Sequence, residues 1–133
     1  MPTHTYGTFT KALAAGKLEP AYYFLGAENV LKDEATTALL EKVLDPGLRD
    51  FNLDIRSAQQ LEPEDVLSLC TTLPMMADRR VVVVRDADRM REDQYSAMLK
   101  AIEEPGASTV WVLTTARLSR LPATIRSRCQ KVR

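Results

Sequence analysis

A glycine closing a short apolar run, with a lysine six residues further on, is the spacing by which a chain cradles a polyphosphate. Gly26-Ala27-Glu28-Asn29-Val30-Leu31-Lys32-Asp33 keeps that glycine and lysine of the pattern GxxxxGK[ST] and departs elsewhere. Leu31 takes the second glycine position and Asp33 the hydroxyl position. A glycine there lets backbone N–H groups wrap the phosphates, and the hydroxyl is a magnesium ligand. Both capacities are lost on paper, and Asp33 and Glu28 add negative charge beside the phosphate position. The plain alternative is an ordinary turn and helix start, with acidic residues complementing the helix dipole.

A second constellation weighs on the same question. Nucleotide hydrolases end a buried apolar strand in Asp-Glu, the first holding magnesium and the second orienting water. Here Val81 to Val84 is followed by Arg85-Asp86-Ala87-Asp88. Arg85 occupies the metal-holding position, and a cation does not ligate a cation. Asp86 and Asp88 read most simply as solvated turn residues. We therefore expect a degenerate phosphate loop (Gly26, Leu31, Lys32, Asp33), a degenerate metal-site strand end (Arg85, Asp86) and no catalytic residue.

Composition narrows the field. Two cysteines, Cys70 and Cys129, with one histidine, His4, cannot supply four zinc ligands, so no metal is expected. The residues from Met1 to Thr10 lack the apolar core of a signal peptide, which favours free thiols and the cytoplasm. Apolar runs fall far short of the ~20 residues of a membrane span, so no membrane insertion is expected. Lysine plus arginine equals aspartate plus glutamate, 18 each, so no global positive field draws the chain to nucleic acid. A chain of 133 residues holds one hydrophobic core, hence one domain over residues 1–133.

The elements that must position these residues alternate. Ala21 to Leu25 reads as a buried strand and Asn29 to Leu44 as a helix ended by Asp45-Pro46-Gly47. Phe51 to Ile55 alternates as a strand with one covered face. Pro63 opens a helix carrying Val66, Leu69, Cys70 and Leu73 along one face. Arg80 to Val84, with four consecutive valines, is a strand covered on both faces. Gln94 to Glu104 is helical, Thr109 to Thr114 a buried strand, Pro122 to Ser127 a short helix, and Gln130 to Arg133 the start of a last strand. The order predicts an α/β layered fold with a mainly parallel sheet.

VVVVRDADRM, SAMLKAIEEP, TVWVLTT and TIRSRC, in that order, resemble the ATPase domain of clamp-loader subunits, a resemblance spanning Arg80 to Arg133. The earlier segments AYYFLGAENVLKDE and FNLDIRSAQQLEPEDVLSLCTTLPMMADRRVVVV resemble, within that group, the delta subunit of bacterial DNA polymerase III. The resemblance implies an AAA+ fold of the P-loop NTPase type, three-layered, with a degenerate nucleotide site and no cofactor of its own. It also implies a longer subunit continuing into a lid and a collar, of which this would be the N-terminal domain.

Its partners would be the sliding clamp (beta subunit) and the gamma/tau and delta-prime subunits, with DNA met only through the assembled loader. The resemblance implies that the chain binds the clamp and helps open it with an apolar pair at the tip of the helix that precedes the valine strand. The matching residues here are Leu73, Pro74, Met75 and Met76, the two methionines replacing the usual leucine and phenylalanine. Two adjacent long apolar side chains cannot both face one core, so at least one is expected at the surface; the bland reading has both filling gaps inside.

Ser127-Arg128-Cys129 matches instead the motif by which delta-prime and motor subunits present an arginine to a neighbour's ATP, which leaves Arg128 as an arginine finger, a remnant or a surface residue. Lys100, Arg120 and Arg126 read as solvated charges without stacking aromatics. Three functions remain open: a clamp-binding subunit without ATP hydrolysis of its own, a delta-prime-like stator, and an atypical nucleotide hydrolase keeping Lys32 and Asp86.

Overall fold

A computed structural model describes residues 3–25, 29–104, 108–115 and 121–132, with side chains for all of these except 29–32. Its described elements run α1 (Tyr6–Ala14), β1 (Ala21–Leu25), α2 (Asn29–Val43), α3 (Arg49–Asn52), β2 (Leu53–Ser57), α4 (Pro63–Thr71), β3 (Arg80–Arg85), α5 (Glu92–Glu103), β4 (Thr109–Thr115), α6 (Ala123–Arg126) and β5 (Gln130–Val132). The strands form one sheet in the order β2-β3-β4-β1-β5. Every pairing is parallel, with Val82 beside Trp111 and Tyr23 beside Leu113.

The apolar runs explain why the sheet is covered twice. Side chains alternate across a strand, so a continuous apolar run must be buried on both faces. Val81 and Val83 join Tyr22, Phe24, Val110 and Val112 in a core roofed by Leu39 and Leu40 of α2, Leu44 just after it, and Phe9 and Leu13 of α1. Val82 and Val84 join Tyr23, Trp111 and Leu113 in a second core covered by α4, α5 and α6 through Val66, Leu69, Met98, Ile102 and Ile125. The result is a three-layer α/β/α sandwich, as the alternating sequence predicts.

Two departures have local causes. Phe51 and Asn52 close the short helix α3, so the strand begins at Leu53 and not at Phe51. The Asp45 carboxylate accepts the Gly47 N–H at 2.8 Å, starting a 3-10 turn at Pro46–Leu48 that runs on into α3. Turn chemistry thus overrides the alternation read from Phe51 onward. Helix α1 lies in a stretch read only as polar; Thr5 caps it, its hydroxyl accepting the Thr8 N–H at 3.2 Å, and Phe9 and Leu13, one turn apart, bury its inner face.

Candidate functional site

Open parallel sheets bind ligands outside the carboxyl ends of their strands, and a crevice of about 410 Å³ lies there. Arg85 from the end of β3, Asp86 after it, Thr114 of β4, and Asp33, Thr36 and Thr37 from the first turns of α2 line it. The fold therefore brings Asp33, Arg85 and Asp86 to one crevice. Gly26 lies outside the described residues, as do the side chains of Leu31 and Lys32.

Asp33, Arg85 and Asp86 are exposed, and Asp86 adopts a left-handed backbone (φ 56°), which aspartate tolerates. Arg85 carries a cation where a metal ligand would stand, and Asp33 and Asp86 add two carboxylates to the lining of the same crevice. Asp88, read as solvated, is instead half-buried and accepts the Thr115 hydroxyl at 2.9 Å. Behind it the Tyr95 hydroxyl donates to the Ala87 carbonyl at 2.5 Å. Burial, with the Asp88 charge adding to it, pushes the Tyr95 phenol up to about 12.

At the opposite ends of the strands, the loop between α4 and β3 presents a different surface. Leu73 is 80% exposed, Met75 52% and Met76 83%, with Pro74 half-buried between them. Both methionines face outward, so the core-filling alternative is excluded. Helix α4 ends at Thr71, so the apolar pair sits on the loop beyond the helix and not on the helix itself. Met76 holds a left-handed backbone (φ 54°), uncommon for a residue with a side chain.

Sequence reasoning passed over what braces that loop. Asn52, fully buried, receives the Met75 N–H on Oδ1 at 2.7 Å and donates from Nδ2 to the Met75 carbonyl at 2.9 Å. An asparagine inside an alternating run gives no local sign of a partner 23 residues away. Three more large apolar side chains stand exposed, Phe51 on α3, Ile55 on β2 and Leu67 on α4. Leu67 and Leu73 line a groove of about 970 Å³ between α4 and α5.

Arg128 lies elsewhere, after α6. Its guanidinium pairs with Glu103 of α5 and donates to the Thr124 carbonyl at 3.1 Å and the Ser127 hydroxyl at 3.0 Å. It is thus tied back to its own domain at its exposed surface. Lys100 is exposed, Arg126 half-buried, and Arg120 lies outside the described residues. Both cysteines are free, and burial pushes the Cys129 thiol up to about 12. Among the described residues no helix is long and apolar enough to cross a membrane, and no group of three His, Cys, Asp or Glu is placed to hold a metal ion.

A parallel sheet ordered β2-β3-β4-β1-β5, with its crevice at the strand ends and helices on both faces, is the AAA+ type of P-loop ATPase fold. Solved structures of that fold superpose on nearly the whole chain. The Bacillus subtilis DNA clamp loader delta protein does so with a TM-score of 0.82 at 23% identity, covering 96% of this chain and 41% of that one. A Thermotoga maritima RuvB structure reaches 0.69 at 17% identity, covering 93% and 40%.

The chain belongs to the family described as DNA polymerase III, delta subunit, whose model matches residues 48–133. It is 28% identical over 111 residues to DNA polymerase III subunit delta of Bacillus subtilis (strain 168), covering 77% of the chain and 32% of that relative. It is 45% identical over 51 residues to subunit delta' of Escherichia coli (strain K12), covering 38% and 15%. The chain thus spans about a third or less of the length of these curated relatives.

Proposed function

We propose that this chain is the N-terminal, ATPase-like domain of a clamp-loader delta-type subunit, working in the cytoplasm with gamma/tau and delta-prime subunits in DNA replication. In this reading it binds the sliding clamp through Leu73, Pro74, Met75 and Met76, helps open the ring and hydrolyses no ATP itself. The observation that carries the proposal is the exposure of both methionines on a braced loop, in a family member whose degenerate crevice lies at the other end of the sheet. Methionine is flexible and polarizable, so it adapts to an apolar groove on a partner.

Opening follows from differential affinity. A tip that binds the open clamp better than the closed one shifts the ring's population by that difference and by nothing more. ATP bound in other subunits would govern access to the tip. The pairing of Arg128 with Glu103 favours this reading over a stator, because a finger offered to a neighbour would first have to leave its own partner.

Surface plasmon resonance of the chain on an immobilised bacterial sliding clamp tests the proposal. Burying a methionine is worth about 1.5–3 kcal/mol. The Met75→Ala, Met76→Ala double variant should therefore lose at least about 2 kcal/mol, roughly 30-fold in affinity. A loss of a few tenths of a kcal/mol would refute it.

A further inference from the structure

The braced loop contains a residue whose chemistry goes beyond filling space. Asn52 lies at the end of α3 with its side chain fully buried and all its bonds made to main chain. Its Nδ2 donates to the carbonyls of Met75 at 2.9 Å and Leu48 at 3.2 Å, and its Oδ1 accepts the Met75 N–H at 2.7 Å. The two bonds to Met75 reproduce, with a side chain, the reciprocal pair that two residues exchange in an antiparallel ladder. A primary amide can do this because it offers a carbonyl and an NH₂ group on one plane.

The consequence falls on the next residue. Met76 sits at φ 54°, a conformation that a residue bearing a side chain keeps only where its surroundings over-determine it. With Met75 held at both its N–H and its carbonyl, the peptide entering Met76 is fixed in orientation. Leu73 and Met76, among the most exposed large apolar side chains described, then project from a fixed main chain.

We infer that Asn52 is the positioning residue of the Leu73–Met76 tip: its amide clasps the Met75 backbone and presents the apolar side chains in the single arrangement that an apolar groove of the sliding clamp accepts. This inference rests on the clamp-binding reading above. A clasp that only satisfied a buried amide would change stability and leave the affinity of the folded molecules untouched. A clasp that organises the tip changes the fraction of molecules competent to bind, and apparent affinity falls by that fraction.

The test compares the full chain with Asn52→Ala, with Met75→Ala, Met76→Ala, and with Val112→Ala, a core truncation in the middle of β4 that lowers the melting temperature away from the loop. Each is measured for binding to a purified bacterial sliding clamp and for hydrogen exchange at the residue 75 amide, at a temperature where all are folded. Asn52→Ala should bind about tenfold more weakly, as when the competent arrangement falls to about a tenth of the population. Its residue 75 amide should exchange at least about tenfold faster, in proportion to the population of the opened loop. Val112→Ala should leave both values unchanged, and the double methionine variant should lose binding while keeping the slow amide.

Full affinity in folded Asn52→Ala, or fast exchange at Met75 in the unsubstituted chain, overturns the inference. Normal binding by the double methionine variant would instead remove the clamp-binding reading, with exchange at residue 75 still deciding whether the clasp exists. If Asn52→Ala does not fold, Asn52→Ser is read in the same way, since one hydroxyl cannot replace both bonds to Met75.

Discussion

Met75 and Met76 show how far a residue type alone carries an argument. Adjacent long apolar side chains cannot share one core direction, so exposure of at least one is legible in the sequence, and both are exposed. Asn52 was not legible, because its partner lies across 23 residues and asparagine is common in turns that hold nothing. Arg85 was legible as a cation at the strand end where a metal ligand would stand, and it lines the crevice there.

Titration behaviour also belongs at this scale. Burial raises the Cys129 thiol from 9.0 to about 12, and burial with the Asp88 charge raises the Tyr95 phenol from 10.0 to about 12. Both groups hold their protons longer folded than unfolded, so the unfolded state binds fewer protons between those values. Stability is therefore unaffected by these groups below pH 9.0 and falls as pH rises from there towards about 12. Urea unfolding from pH 8 to 11 should show that decline, and Cys129→Ala should make it shallower. An unchanged slope in Cys129→Ala would contradict the burial of this thiol.

At the scale of elements, strong periodic segments were readable and locally controlled ones were not. Four consecutive valines in β3 can be buried only by layers on both sides, and they are. The strand read from Phe51 begins at Leu53 because an Asp45 cap and a 3-10 turn feed a helix into it. Helix α1 escaped notice because Phe9 and Leu13 are the two buried positions among polar neighbours. Helix α2 is docked through its buried side chains Ala35, Leu39 and Leu40. Leu39, fully buried against β1 and β3, anchors it, and Leu39→Ala should cost about 2–5 kcal/mol in thermal or urea unfolding. A cost below about 1 kcal/mol would mean that α2 is not held through this contact.

At the scale of the whole molecule, the fold is that of an AAA+ type P-loop ATPase. The three-layer α/β/α architecture is kept, while the described residues lining its crevice include Arg85 together with the carboxylates of Asp33 and Asp86. Isothermal titration with magnesium ATP should give no binding heat at millimolar nucleotide; saturable binding there would favour the nucleotide hydrolase and remove the ATP-independent part of the account. Arg128→Ala should leave clamp affinity unchanged, since Arg128 is engaged by Glu103 and does not belong to the Leu73–Met76 tip.

Hydrogen exchange of the chain with and without a saturating sliding clamp reads directly which surface meets the clamp. Slowed exchange centred on Leu73 to Ala77, with the amides of Thr124 to Arg128 unchanged, is the predicted result. Protection confined to Thr124–Arg128, with Leu73 to Ala77 exchanging as in the free chain, would contradict it and make Arg128 the centre of the interface.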